Sequence, residues 1–127
     1  MSLEKARILY QALPRLGGLR KPRKDSRNLG WQNTSFRGFA DYMETPAFEE
    51  GLMELLNLAS EKRTTILCAE AVPWRCHRSL IADALLSRGT KALHILTAQK
   101  ADEHRLTSFG RIENGRVVYP AQQAPLL

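Results

Sequence analysis

The chain has 127 residues, 43% of them hydrophobic, and this composition predicts a single domain, residues 1–127, with a modest core. No apolar run reaches membrane-spanning length and no signal-peptide pattern is present, so no membrane partner is expected. The formal net charge is +6, and both cysteines lie in one short segment rather than in a spread framework of disulfides. That cysteine usage predicts a cytoplasmic, reducing compartment.

The first predicted element is a short apolar strand at residues 8–13, which Pro14 ends. Residues 15–37 contain seven Lys or Arg residues and one acid, Asp25, and seven minus one equals the net charge of the whole chain. Most of this segment has no apolar period and is rich in Gly, Pro, Asn and Ser, which predicts a loop. A local basic patch of this kind usually meets phosphates or another polyanion.

This basic loop supports an alternative function, that of a non-catalytic nucleic-acid-binding module. Arginine makes bidentate contacts with phosphate, and an exposed aromatic side chain stacks on a base. The candidate residues are Lys21, Arg23, Lys24, Arg27, Trp31 and Arg37. Because few apolar side chains anchor the loop, we expect it to be mobile until it binds a polyanion.

Two helices are predicted next, at residues 35–43 and from Pro46 to about Lys62. Thr45 is the expected N-cap of the second helix, with proline at its first position. A buried strand at residues 64–69, a helix at residues 76–88 ended by Gly89, and a strand at residues 92–96 follow.

Near the end of the chain, Asn114 and Gly115 separate two short apolar runs and predict a hairpin turn. Helices that alternate with apolar strands predict an α/β fold, with a mostly parallel sheet flanked by helices and a C-terminal β-hairpin. In such sheets, ligands bind outside the carboxyl ends of the strands.

Residues with reactive side chains are concentrated where the strand at 64–69 gives way to the helix at 76–88. The N-terminus of a helix and nearby cations favour a thiolate, so we expect Cys76 to be more reactive than Cys68. The catalytic candidates are Cys68, Glu70, Cys76 and His77. The candidates for holding an anion are Arg20, Arg75 and Arg78.

Two other uses of the cysteines stay open. A metal site would use Cys68, Cys76 and His77, with His94 or His104 as a further ligand, but the usual close Cys-x-x-Cys pair is missing. We therefore predict neither a metal nor a cofactor. A reversible disulfide between the cysteines would need matched Cα positions. His94 is expected to be a core histidine and His104 a surface residue.

Three motifs stand out along the chain: LPRLGG at residues 13–18, NTSFRGFADYM at residues 33–43 and CAEAVPWRCHRSLIA at residues 68–82. Together they resemble the family known as the domain of unknown function 488. The resemblance implies an α/β protein without an established reaction. Members usually begin with a further strand-helix-strand portion, and its absence implies an uncovered sheet edge and therefore a homo-oligomer.

The leading hypothesis is an enzyme-like pocket at a strand end that binds a phosphate-bearing or other anionic small molecule. Nucleic acid is the expected partner under the alternative. The residues do not name a substrate or a reaction.

Overall fold

The computed structural model describes residues 10–17, 20–66 and 77–121 of the chain. Within these ranges, a 3-10 turn at Pro14–Leu16 precedes three helices and four short strands. The helices are α1 (Thr34–Tyr42), α2 (Pro46–Glu61) and α3 (Arg78–Ser87). The strands are β1 (Leu93–Thr97), β2 (Lys100–Glu103), β3 (Arg111–Glu113) and β4 (Arg116–Val118). No helix in the described ranges is long and apolar enough to cross a bilayer.

Helices α1 and α2 begin at polar residues whose side chains accept backbone N–H groups. The side chain of Asn33 accepts from the N–H groups of Ser35 and Phe36, and Thr45 Oγ1 accepts from Phe48 N at 3.3 Å. Proline occupies the first position of α2, as predicted, because its missing N–H costs nothing there. The C-terminal end of α3 is followed by Gly89, whose φ of 78° lies in the left-handed region. The predicted helices are therefore confirmed, with small shifts at their ends.

The strands form two separate antiparallel pairs. β1 pairs with β2, and β3 pairs with β4 through a turn at Asn114 and Gly115 with φ values of 54° and 74°. The predicted C-terminal hairpin is thus confirmed, and the fold is a mixture of helices and strands. β2 was not predicted, because its four residues are all exposed and show no apolar alternation.

A mostly parallel sheet is not present among the described residues. Residues 10–13 and 64–66, the described parts of two expected strands, are not strands. The rest of those two segments lies outside the described residues. The third expected strand, β1, is present but is paired antiparallel with β2.

The core lies between the three helices and the end of the C-terminal hairpin. Its largest fully buried apolar side chains are Phe39 from α1, Phe48 and Leu52 from α2, Leu80 and Ile81 from α3, and Tyr119 after β4. Burying one such side chain contributes about 1.5–3 kcal/mol. This packing holds the start of α3 in a defined position beside α1.

An ion pair reinforces the other end of α3. The Arg88 guanidinium donates to both carboxylate oxygens of Glu49 on α2, and its Nε donates to the carbonyl of Gly115 at 3.0 Å. The hydrogen bonds from Arg88 hold the pKa of the Glu49 carboxyl below its ordinary value, although partial burial opposes this. One guanidinium thus joins α2, α3 and the hairpin turn.

Candidate functional site

The predicted site residues around the start of α3 are described only in part. Four of them lie outside the described residues: Cys68, Glu70, Arg75 and Cys76. The possible disulfide between the two cysteines therefore also falls outside the described part of the chain. His77 is the N-cap residue of α3, and Arg78 is its first residue.

His77 connects the start of α3 to the turn at Pro14–Leu16. Its Nε2 lies 2.9 Å from the carbonyl oxygen of Leu16, and because a carbonyl only accepts, Nε2 carries the proton. Its ring also packs on Phe39, with the ring centroids 4.4 Å apart. These two contacts bring the turn at Pro14–Leu16 and α1 together with the start of α3.

Arg20 extends the same region. Its Nε donates to the carbonyl of Gly17 at 3.3 Å, and its guanidinium carbon lies 3.8 Å from the centroid of the Tyr42 ring, a cation–π geometry. Leu16 and Gly17 are neighbours, so His77 and Arg20 bind adjacent carbonyls of one turn. A cleft of about 220 Å³ lies beside Arg20 and is also lined by Lys21, Arg23, Gly38, Asp41, Tyr42 and Thr45.

The basic loop is tied to α1 by a buried carboxylate. Asp41 is 2% exposed and accepts from Ser26 Oγ, Asn28 Nδ2 and Arg23 N at 2.7–2.8 Å. Asn28, fully buried, also accepts from Tyr119 N at 3.0 Å. The loop was expected to be mobile because it has few apolar side chains to anchor it. These hydrogen bonds anchor it instead, and they favour an ordered loop over residues 20–28.

Several charges of the basic loop are paired within the chain. Arg23 and Arg27 both contact Glu44, at 2.7 and 3.4 Å, and Arg37 Nε donates to the carbonyl of Trp31. Burial alone would raise the pKa of Glu44, but hydrogen bonds from Asn28 and Arg23, with the charge of Arg27, lower it overall.

The patch is therefore less positive than the sequence count suggested, because acids beyond residue 37 fold back onto it. Arg15 likewise lies near Glu50 and Glu54 on α2. Lys21 and Lys24, two further nucleic-acid candidates, are exposed.

Trp31, the aromatic candidate for base stacking, belongs to a cluster of rings. It meets Phe36, Phe109 and Tyr119 edge-on, with centroid distances of 5.1, 4.8 and 5.4 Å. Its Nε1 is buried without a hydrogen-bond partner. This packing leaves less of the ring available for a base than an exposed loop residue would offer.

A second buried carboxylate lies on α3. Asp83 is fully buried, and its Oδ1 accepts from His104 Nε2 at 2.7 Å and from Thr107 N at 3.1 Å. Its Oδ2 accepts from Thr107 Oγ1 at 2.6 Å and from Tyr119 OH at 2.7 Å. Burial and the Asp83 charge raise the pKa of Tyr119 far above its ordinary value, so this phenol keeps its proton.

The other nitrogen of His104 continues this network towards the surface. His104 Nδ1 lies 2.6 Å from Nε2 of His94, which is half-buried on β1. Burial lowers the pKa of His94, and the charges of His104 and Arg78 lower it further.

The sequence analysis missed this network. The expectation that His104 is a surface residue is wrong, because it is 8% exposed. One signal was available: Asp83 lies three residues after Leu80 and so falls on the apolar stripe of its own helix. An acid on an inward face needs partners, and His104 is one of them.

A metal is not supported by the described side chains. Within residues 10–17, 20–66 and 77–121, no three His, Cys, Asp or Glu side chains are grouped in a way that could hold a metal ion. Of the metal-site candidates, His77, His94 and His104 instead make the hydrogen bonds given above.

Fold and site together define a mixed α/β protein in which a buried carboxylate–imidazole network is centred on Asp83, in the middle of α3. The chain belongs to the family described as Domain of unknown function DUF488, whose model matches residues 1–85. The matched span includes His77, Arg78 and Asp83, whereas His94 and His104 follow it. No curated protein matches the chain, and no solved structure does.

Proposed function

We propose that the start of α3 forms an enzyme-like pocket that binds a phosphate-bearing or other anionic substrate. Cys76 and Cys68 are the proposed thiols, Glu70 is the proposed acid/base, and Arg20, Arg75 and Arg78 are the proposed anion holders. The contact between His77 and the Leu16 carbonyl carries the proposal, because it brings the turn that Arg20 contacts against the helix that Arg78 begins. A helix N-terminus also favours bound anions and thiolates.

Two alkylating reagents of different charge test this proposal. In a Cys68→Ser protein, Cys76 is the single thiol, because the chain has two cysteines. Iodoacetate is an anion and iodoacetamide is neutral, so the ratio of their alkylation rates reports the charge around the thiol. We expect this ratio to exceed that of N-acetylcysteine, and inorganic phosphate to slow the reaction with iodoacetate.

Charge variants sharpen the same experiment. Arg78→Gln should lower the ratio by roughly fivefold, corresponding to about 1 kcal/mol for one nearby charge. Arg111→Gln on the exposed strand β3 is the matched control and should leave the ratio unchanged. Thermal unfolding verifies that each variant folds. A ratio equal to that of N-acetylcysteine in the unmodified Arg78 protein would refute the anion pocket.

The nucleic-acid-binding alternative has less support. Arg23 and Arg27 are paired with Glu44, and Trp31 is packed among other rings. Exposed Lys21 and Lys24 are the cations that best fit this function. Binding of single-stranded DNA or RNA that weakens steeply with salt, and that is lost in a Lys21→Ala/Lys24→Ala protein, would favour it over the anion pocket.

Three wider expectations belong to the same proposal. They are a cytoplasmic location, which would keep both thiols reduced, a larger parallel sheet, and a homo-oligomer. The exposed side chains of Leu93 and Ile95 on β1, 58% and 65% accessible, support the last two, because a larger sheet or a second copy would cover them. Light scattering over a dilution series measures the oligomeric state.

A further inference from the structure

We propose that the cleft between the basic loop and α1 binds the phosphoryl group of a compact phosphate monoester, and that Arg20 and Lys21 hold it. Residues of the loop and of α1 line this cleft, whose volume is about 220 Å³. The inference deepens the proposed function by naming the group that is bound and the place where it lies. It rests on that proposal only for the further step that the bound molecule is the substrate.

The backbone that carries both cations is fixed on α1. Gly38 lets the chain at Arg20 and Lys21 lie directly on the helix, because a Cβ at Gly38 would stand 1.9 Å from the carbonyl oxygen of Arg20. Further along the loop, Arg23 N donates to the buried carboxylate of Asp41 at 2.8 Å. Cations that extend from fixed backbone lose less conformational freedom when they bind a ligand.

Two contacts within the chain hold the guanidinium of Arg20 in a defined orientation. Its Nε donates to the carbonyl of Gly17 at 3.3 Å, and its central carbon lies 3.8 Å from the centroid of the Tyr42 ring. The N–H groups of its two terminal nitrogens have no hydrogen-bond partner among the described residues. A guanidinium presents such N–H groups in a fork that matches two oxygens of a phosphate.

The hydrogen-bonding groups that remain free around the cleft are donors. Lys21 is exposed and makes no hydrogen bond or ion pair within the described part of the chain. The oxygens of Asp41 already accept from three donors of the loop. The hydroxyl of Thr45 donates to Tyr42 O and accepts from Phe48 N. A ligand of this cleft must therefore supply acceptors, and a phosphoryl group supplies three strong acceptor oxygens.

The charges around the cleft favour a dianion. Arg23 also lines it, but its guanidinium is paired with Glu44 at 2.7 Å and with Asp25 at 3.5 Å. Arg20 and Lys21 form no ion pair with any described residue. A phosphate monoester has about two negative charges at neutral pH, one for each of these cations, whereas a carboxylate has a single charge.

The size of the cleft limits how much of the ligand it encloses. Its 220 Å³ correspond to roughly seven water molecules of about 30 Å³ each. That is room for a phosphoryl group and a short carbon chain. A nucleic-acid backbone would extend beyond the cleft and would also use exposed cations outside it, such as Lys24.

NMR titration of the full chain with glycerol 3-phosphate tests the cleft. We expect shifts in the Nε–H signal of Arg20 and in the backbone amide signals of Lys21 and Gly38. Glycerate has the same number of carbons and a single carboxylate, and it should bind at least about fivefold more weakly because it has one charge fewer. Absence of these shifts, or equal affinity for glycerate, would overturn the proposal.

Charge variants distinguish the cleft from a diffuse basic surface. Arg20→Gln and Lys21→Gln should each weaken glycerol 3-phosphate binding by at least about fivefold. Lys24→Gln is the matched control, because it removes an exposed charge of the same loop outside the cleft, and it should change the affinity by less than about twofold. An equal loss in Lys24→Gln would overturn the proposal.

Arg20→Lys keeps the positive charge and is therefore the milder variant of this position. It should still weaken binding, since an ammonium lacks the paired N–H groups of a guanidinium. Wild-type affinity in Arg20→Lys would refute binding by an oriented guanidinium. Thermal unfolding verifies that each variant folds.

The binding of glycerol 3-phosphate and the alkylation of Cys76 can fail independently. Binding in the cleft, together with an iodoacetate to iodoacetamide ratio equal to that of N-acetylcysteine, would refute the pocket at the start of α3 and support the cleft. A raised ratio without the shifts at Arg20 and Lys21 would overturn the cleft alone.

Discussion

Two buried aspartates accept similar sets of hydrogen bonds but have partners of different chemistry. Asp41 on α1 and Asp83 on α3 are 2% and 0% exposed, and each accepts from three or more donors. The donors of Asp41 are a backbone N–H, a hydroxyl and an amide of one loop. Those of Asp83 include an imidazole, whose second nitrogen leads to the half-buried His94.

The difference lies in where each network ends. Around Asp41, Asn28 passes hydrogen bonds on to Tyr119 N and Glu44, and the loop is held in place. Around Asp83, the imidazole of His104 connects the carboxylate to the half-buried ring of His94 on β1. The two buried acids therefore differ in the chemistry of their partners, and only the partners of Asp83 include an imidazole.

The largest expected effect is a loss of stability in the Asp41 region, caused by a substitution that leaves every hydrogen-bonding side chain unchanged. A Cβ at Gly38 would stand 1.9 Å from the carbonyl oxygen of Arg20, where the loop backbone lies directly on α1. Gly38→Ala should cost about 3 kcal/mol of unfolding free energy, because backbone atoms must move apart. Urea unfolding measures it.

Ser35→Ala, at an exposed position of the same helix, is the control and should change stability by less than about 0.5 kcal/mol. The His94 titration should persist in Gly38→Ala, because His104 and Thr107 bind Asp83 without contacting the loop, although Tyr119 bonds to both Asp83 and Asn28. Wild-type stability in Gly38→Ala would contradict the close packing of the loop on α1.

A pair of charge-neutral substitutions compares the two aspartates directly. Asn28 Nδ2 donates to one carboxylate oxygen of Asp41, and Arg23 N donates to the other. In Asp41→Asn, the new NH2 group therefore faces one of these donors in either orientation of the amide. We expect it to cost about 2 kcal/mol, as for a poorly satisfied buried polar group. Asp83→Asn meets hydroxyls at one oxygen and should cost about 1 kcal/mol.

Equilibrium unfolding of both variants in one buffer decides the order. A greater loss in Asp83→Asn would mean that the negative charge of Asp83, rather than its hydrogen bonds, stabilises this part of the fold.

The smallest expected effect is that the two regions lose their contributions to stability in different pH ranges. The pKa of His94 is lowered from 6.5, so the unfolded chain binds the proton more tightly. The free energy of unfolding should therefore fall as pH drops below about 6.5, and His94→Gln should remove this part of the profile. The pKa of Glu44 is lowered from 4.5, so its contribution is present above that pH and lost as pH falls further.

Glu44→Gln should accordingly flatten the acid part of the profile and leave the histidine part unchanged. Urea midpoints measured between about pH 3 and pH 8 test both statements. If His94→Gln also flattens the part below pH 4.5, the two regions are coupled and the contrast between them fails.

Much of the local structure could be predicted from the sequence. Thr45 and Pro46 start α2, Gly89 follows the end of α3, and Asn114 with Gly115 makes the turn between β3 and β4. Each of these features depends on hydrogen bonds or backbone angles within a few residues, so the neighbouring letters contain the information.

The candidate site was predictable only in part. The position of His77 at the start of α3 followed from the helix pattern, whereas the burial of His104 did not. Charged neighbours made His104 look like a surface residue. The apolar stripe of α3 shows that Asp83 needs a partner, but not that this partner is His104, 21 positions later.

The sequence by itself determined the helices, their caps, the C-terminal turn and the family to which the chain belongs. Only the tertiary structure decided which polar groups meet. It brings Asn28 to Tyr119 across 91 positions. It also sets Asp41 on α1, Glu44 between the helices and Glu50 on α2 against the basic loop. The physical reason is that burial of an acid or an amide creates a demand for partners, and the packing of distant elements decides which residue meets it.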